Sequence, residues 1–265
     1  MQTEEWIKVL MRGRTPTVRS RGAVAGLGTI LGVWAHPDDE AYLSGGLMAI
    51  AREAGSRVVC VTATHGELGT NDPVTWRPPR LAAERTKELV QSLVTLGVRE
   101  HEWLRYPDGG LEAVDEVEAV DRIVAVIENV RPDTVLTFGP DGFTGHTDHC
   151  VVSAWTTTAF DQAAHADARL LYAAYPERRL SRWSGVNERY GIFPSGYPIC
   201  FPGGDLAVDL ELDEEIAGVK ARALKAQVTQ TSGLIQEMGL ARYTDWVADE
   251  AFVERRSVSE LASGR

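Results

Sequence analysis

What most limits the fold of this chain is that short apolar runs of strand length alternate with longer stretches of helical periodicity. Runs at residues 29–34, 57–62, 102–106, 134–138, 170–174 and 206–210 are rich in the residues that favour a pleated strand. Helical patterns at 42–54, 79–96, 114–129, 148–164 and 213–229 fill the gaps, and Pro132 stops the third of them before the fourth run. The alternation predicts an α/β fold, a Rossmann-like three-layer sandwich around a mainly parallel sheet of five or six strands. Several runs are apolar on both sides of the pleat, as strands covered by helices on both faces must be. A chain of 265 residues that is 44% hydrophobic can close this core as one domain. We place that domain at 23–265, behind a flexible basic arm at 1–22. Residues 178–204 mix Ser, Gly, Pro and aromatics without a period, and read as an irregular excursion near the mouth of the site.

Charge narrows the partners. A formal net charge of -11 opposes phosphate backbones and anionic membrane surfaces, so neither nucleic acid nor membrane is expected as a partner. The basic run Arg12 to Arg21 reads as a solvated tail. Three cysteines, Cys60, Cys150 and Cys200, lack the spacing of a disulfide framework or a thiolate zinc site, which suits a cytoplasmic location. The apolar segment at 23–35 imitates a secretory signal, but it runs directly into the most chemically loaded residues of the chain and so reads as a strand. Self-association into a homo-oligomer is left open.

In open α/β sheets, ligands bind beyond the carboxyl ends of the strands, which singles out the loops at 36–40, 65–70, 107–111 and 139–149. The first is His36-Pro37-Asp38-Asp39-Glu40. An imidazole beside three acids is costly unless a cation neutralises it, and a divalent ion would require these donors deprotonated. The competing structural reading makes Asp38 a helix cap with Glu40 in the first turn; both readings can hold. The last loop contains His146-Thr147-Asp148-His149, whose two histidines share a face at a helix start. Two such loops can converge on one ion, and His and carboxylate ligands with an open water position describe a catalytic zinc site, Fe2+ or Mn2+ being the alternatives.

These residues resemble the PIG-L family, also called LmbE-like deacetylases, through Ala35-His36-Pro37-Asp38-Asp39-Glu40 and His146-Thr147-Asp148-His149. Weaker similarity runs from residue 29 to 233 and includes Thr64-His65-Gly66-Glu67, Glu84-Arg85-Thr86-Lys87 and Asp108-Gly109. The resemblance implies a zinc-dependent N-acetylglucosaminyl deacetylase acting on a small amino-sugar molecule, with one ion held by His36, Asp39 and His149. It implies Asp38 as general base, His146 as the group that stabilises the oxyanion or assists the leaving amine, and Asp148 as the residue orienting His146. Glu67, Arg85 and Asp108 match positions near sugar hydroxyls. Two departures stand out: Thr144 where many relatives have tyrosine, and Gln227-Val228-Thr229-Gln230 where relatives often carry a histidine. The competing functions are a metal-dependent phosphoesterase, which would need more bridging carboxylates and cationic clamps, and a non-catalytic sugar-binding module on the same fold.

Overall fold

The computed structural model describes residues 17–255. Its centre is a seven-stranded sheet. In chain order the strands are β1 (Ile30–Trp34), β2 (Val58–Thr64), β3 (Glu100–Tyr106), β4 (Thr134–Phe138), β5 (Arg169–Ala173), β6 (Val208–Glu211) and β7 (Asp249–Glu254). Their order across the sheet is β3-β2-β1-β4-β5-β7-β6. The first five strands run parallel, and β7 joins antiparallel to both β5 and β6. Strands β1, β2 and β4 are buried at every position, because helices cover both faces.

The longer helices are α1 (Asp39–Glu53), α2 (Pro78–Thr95), α3 (Glu116–Val130), α4 (Thr147–Ala163), α5 (Glu177–Tyr190), α6 (Glu214–Ala226), α7 (Val228–Met238) and α8 (Leu240–Val247). Local chemistry sets their starts. Asp115 accepts from the N–H groups of Val117 (2.9 Å) and Glu118 (3.1 Å), and Asp213 accepts from Ile216 N–H at 2.9 Å, each satisfying donors that a helix leaves orphaned. Helix α1 instead begins with Asp39 and Glu40 in its first turn, where the helix dipole favours negative charge.

The topology fixes where a ligand can sit. β1 and β4 are neighbours in register, Ile30 opposite Thr134 and Gly32 opposite Leu136. The chain leaves β1 toward β2 on one side and β4 toward β5 on the other, so strand order reverses between them and a crevice opens at their carboxyl ends. Both histidine-bearing loops emerge there.

The structure departs from the sequence reading in four places. The sheet has seven strands where five or six were expected, because β7 opens with two buried acids, Asp249 and Glu250, that disguise its apolar character. Residues 178–204 are not wholly irregular, since α5 occupies the first half of the segment. Its buried stripe is Arg179, Trp183, Val186 and Asn187, and two polar members hide the period. The helix expected at 213–229 ends at Ala226, and α7 and α8 follow after breaks at Gln227 and Gly239. Finally, the arm is docked where it is described. Val18 N–H donates to Ala207 C=O at 2.8 Å, Asp209 N–H to Val18 C=O at 2.9 Å, and Arg21 pairs with Glu53 and Glu215. Residues 1–16 of that arm lie outside the described residues.

A buried ion pair ties the last strand to the first long helix. Lys220 and Glu250 are both fully buried, 2.7 Å apart. Lys220 also donates to Tyr42 C=O at 2.8 Å, while Glu250 accepts from the N–H groups of Gly46 and Leu47 at 2.7 Å each. Every charge in the pair is thus hydrogen-bonded, the condition under which a buried pair is tolerated.

Candidate metal centre

His36, Asp39 and His149 arrive from the two switch-point loops and are each 8% exposed. One ligand atom from each lies within 4.8 Å of the others. His36 Nδ1 is 3.2 Å from His149 Nε2 and 3.7 Å from Asp39 Oδ2, and Asp39 Oδ1 is 3.4 Å from His149 Nε2. What holds each ring in place decides which nitrogen is free. His149 Nδ1 faces Gly142 C=O at 3.0 Å, and its ring stacks on Phe138, the last residue of β4, at 4.0 Å. Its Nε2 is therefore the lone-pair nitrogen, turned to the other two donors. His36 Nε2 meets Asp108 at 3.1 Å and Asp148 at 3.3 Å, leaving Nδ1 inward. An outer acceptor on the far nitrogen of each imidazole is the arrangement that fixes the tautomer of metal-binding histidines. The donor set thus fits one divalent ion with an open position.

Electrostatics agree with this geometry. Burial would depress the His36 pKa, yet the hydrogen bonds to Asp108 and Asp148 lift it to about 10. Without an ion His36 is thus protonated, and a divalent ion would have to take the place of the proton on Nδ1. Burial takes His149 down to about 4, so it is a neutral donor. A second grouping, His36 with His146 and Asp148, is also compact. It does not make a second ion site, because its atoms already have partners. The Asp148 carboxylate accepts from Gly109 N–H at 2.8 Å and Leu111 N–H at 3.3 Å, and His146 Nδ1 accepts from Asp148 N–H at 3.1 Å.

Asp38 stands at the cap position of α1, with φ at 110° and no side-chain capping bond. A non-glycine residue held there stores roughly 1–3 kcal/mol of strain. The capping role weighed from sequence is absent. Its carboxylate, 18% exposed, instead lies 3.4 Å from the Arg85 guanidinium, which also donates to Gly66 C=O at 2.8 Å and to Pro37 C=O. Burial raises Asp38 to about 7 against the pull of Arg85. Next to it, burial raises Glu40 to about 8, and this carboxyl accepts from Asp38 N–H at 2.9 Å and from Gln227 Nε2 at 2.8 Å. Gln227, in the stretch where the sequence departs from its relatives, braces this acid.

The remaining expected residues fall into two groups. Glu67 keeps an acceptor free: Oε1 takes Asp108 N–H at 3.1 Å, whereas Oε2 is buried without a partner. Arg85 is 3% exposed, and Asp108 accepts from Leu68 N–H at 2.7 Å besides facing His36. Arg85 Nε is buried without a partner, but the other polar contacts of the two residues run to the protein, including Asp38 and His36. The geometry also separates two residues that sequence had paired. Asp148 orients His36 with its carboxylate, and only its backbone N–H meets His146. His146 is exposed, its ring centroid 4.9 Å from that of His36 and 5.0 Å from that of His149. At the neighbouring Gly145, a Cβ would fall 2.6 Å from the Tyr197 ring. Thr144 Oγ1, at the departing position, lies 3.3 Å from His149 Nδ1.

Sequence reasoning missed a cavity of about 240 Å³ that opens beside Asp39 and His149. Its walls come from α1, from the second motif, and from α5, α7 and α8, which no local motif connects.

The family model for PIG-L, GlcNAc-PI de-N-acetylase, matches residues 31–160. A 1D-myo-inositol 2-acetamido-2-deoxy-alpha-D-glucopyranoside deacetylase of Kineococcus radiotolerans is 38% identical, over 77% of this chain and 69% of its own. The protein of the same name from Rhodococcus erythropolis is 33% identical, over 77% of this chain and 81% of its own. Among solved structures, N,N'-diacetylchitobiose deacetylase from Pyrococcus horikoshii shares the fold, with a TM-score of 0.58 at 19% identity over 89% of this chain and 86% of that one.

Proposed function

This chain belongs to the PIG-L family of metal-dependent deacetylases, and we propose that it hydrolyses the N-acetyl or another N-acyl amide of an amino-sugar small molecule. In this reading His36, Asp39 and His149 hold one Zn2+, Asp38 is the base, and His146 assists at the oxyanion or leaving amine. The observation that carries it is the convergence of three donors, two of them imidazoles whose outer nitrogens are already fixed, beside an acid that makes no capping bond.

A divalent ion in this set would polarise the amide carbonyl and lower the pKa of a bound water toward about 7. Asp38 accepts a proton from the attacking water: burial raises its pKa to about 7, the range of a base working near neutral pH, while Arg85 pulls toward the ionised form that can take the proton. As the water oxygen bonds to the carbonyl carbon, charge develops on the carbonyl oxygen. Because His146 Nδ1 already accepts from Asp148, its proton sits on Nε2, free to donate to that oxygen or to the departing nitrogen. The carbon–nitrogen bond then breaks, the nitrogen takes the proton from Asp38 or His146, and amine and carboxylate leave. The unpartnered Glu67 Oε2 supports a contact with a sugar hydroxyl.

One donor set supports hydrolysis at a single ion, and the relatives favour the deacetylase over a phosphoesterase. No helix among the described residues is long and apolar enough to cross a membrane. Cys60 and Cys150 form no disulfide, which supports a cytoplasmic setting.

The test is to load the protein with zinc, offer a panel of N-acetylglucosaminides and assay free amine, with Asp38→Asn in parallel. Turnover should fall by roughly 10²–10⁴ in the variant, with zinc affinity within about threefold of the parent. A variant that keeps near-normal turnover removes Asp38 from the mechanism, and two ions per chain would revive the phosphoesterase.

A further inference from the structure

We propose that the cavity beside the metal donors binds an anionic group, a carboxylate, carried on an apolar stem of the substrate. The inference rests on the amide-hydrolase reading and deepens it by naming what else the substrate carries. Size is the first argument. The cavity of about 240 Å³ borders Asp39 and His149, so whatever fills it is attached close to the scissile amide. An acetyl methyl would leave most of it empty, whereas an apolar cavity of roughly 150 Å³ already holds benzene. Tyr42, Phe143, Tyr190, Phe193, Leu234 and Trp246 line it, a wall suited to an aryl ring or a chain of about six carbons.

The second argument is the charge in that wall. Arg179 lines the same cavity, 9% exposed, and its Nε is buried with no hydrogen-bond partner. Its guanidinium donates to Trp246 C=O at 3.0 Å and lies over the rings of Tyr175 (4.8 Å) and Trp246 (5.8 Å). Among the described residues no carboxylate comes within ion-pair distance of it. Asp249 and Glu250, the acids that act on it through space, are hydrogen-bonded elsewhere: Asp249 pairs with Arg178 at 2.7 Å and Glu250 with Lys220 at 2.7 Å. A buried cation short of acceptors is costly, and a ligand carboxylate would meet it with charge-assisted hydrogen bonds. Among the described residues Arg179 is the sole cation in a largely apolar lining, which matches a carboxylate better than a phosphate, whose additional oxygens would go unserved. Arg179 also lies outside the segment matched by the family model, residues 31–160, where a feature peculiar to this chain's own substrate belongs.

The stem can come from the acyl group or from the substituent on the anomeric carbon, and two arms separate these sources. The first compares N-hexanoyl with N-(5-carboxypentanoyl) glucosamine methyl glycoside. The second compares phenyl with 4-carboxyphenyl N-acetylglucosaminide, and the methyl glycoside of N-acetylglucosamine is the reference. In one arm the carboxylated compound should exceed its neutral partner in kcat/KM by about tenfold to a hundredfold. Arg179→Met should bring that ratio near one, and Arg179→Lys should restore part of it. The ratios measured on the parent protein need no variant, so an Arg179→Met chain that fails to fold leaves the test standing. Turnover of the reference with equal rates inside both pairs overturns this proposal and leaves amide hydrolysis intact. Turnover of no compound by zinc-loaded protein overturns the amide-hydrolase reading itself.

Discussion

Replacing Asp148 by Asn tests whether this acid serves His36, as the geometry has it, or His146, as the sequence suggested. The carboxylate is 1% exposed and faces three donors: Gly109 N–H at 2.8 Å, Leu111 N–H at 3.3 Å and the His36 ring at 3.3 Å. An amide of the same shape has one oxygen. With that oxygen toward Gly109 and His36, its NH2 is turned against Leu111 N–H; the opposite flip deprives two donors instead. Trading charged for neutral acceptors costs about 1 kcal/mol per bond, and an orphaned N–H adds roughly 1–3 kcal/mol. A stability loss of about 2–4 kcal/mol follows, or a Tm lower by roughly 4–16 °C. The sharper readout is metal affinity. Weakening an outer partner of a metal-binding histidine typically costs about 10–100-fold, so competition against a chromophoric chelator should show zinc held that much more loosely. His146→Ala should stay within about threefold of the parent, since that residue is exposed and its Nδ1 is taken by Asp148 N–H. Unchanged zinc affinity in Asp148→Asn would refute the reasoning.

Two further perturbations probe how the fold supports the site. Gly142 adopts φ +68°, and a Cβ there would fall 2.8 Å from Cys150 Sγ and 3.2 Å from the Cys150 backbone nitrogen. Gly142→Ala should lose about 1–3 kcal/mol through left-handed backbone strain and crowding, and should loosen zinc because the Gly142 carbonyl steadies His149; a melting temperature and zinc affinity matching the parent would contradict this. Glu250→Gln leaves Lys220 charged and buried without its counterion, at a cost of about 3–5 kcal/mol. Urea unfolding measures it, and a loss under about 1 kcal/mol would show the pair to be inessential.

The strand-and-loop half of this molecule was legible because its signals are local. His36 to Glu40 and His146 to His149 each follow an apolar run, and the rule that ligands gather at carboxyl ends of strands brings them together before any coordinates are known. The partners of the ligands were not legible in the same way. Asp108, read as a sugar contact, holds His36 across 72 residues of chain, and such a contact leaves no periodicity to read. Asp249 and Glu250 look like solvent-facing charges until Arg178 and Lys220 are seen to meet them. Arg179 was hidden for the same reason: a buried cation in a helix stripe resembles an exposed one in one dimension. What the sequence withheld is mostly buried charge, whose partners are chosen by tertiary structure.

The ion pair between Lys220 and Glu250 also imposes an order of events. As the chain is synthesised, His36, Asp39 and His149 all emerge before Glu250 does, so a nascent chain owns its full donor set while the middle of the first long helix still lacks its brace. A cation captured then would rest on a scaffold whose sheet has yet to receive its final strand. Firm retention of an ion at these donors would therefore wait until Asp249–Glu254 has threaded into place between β5 and β6.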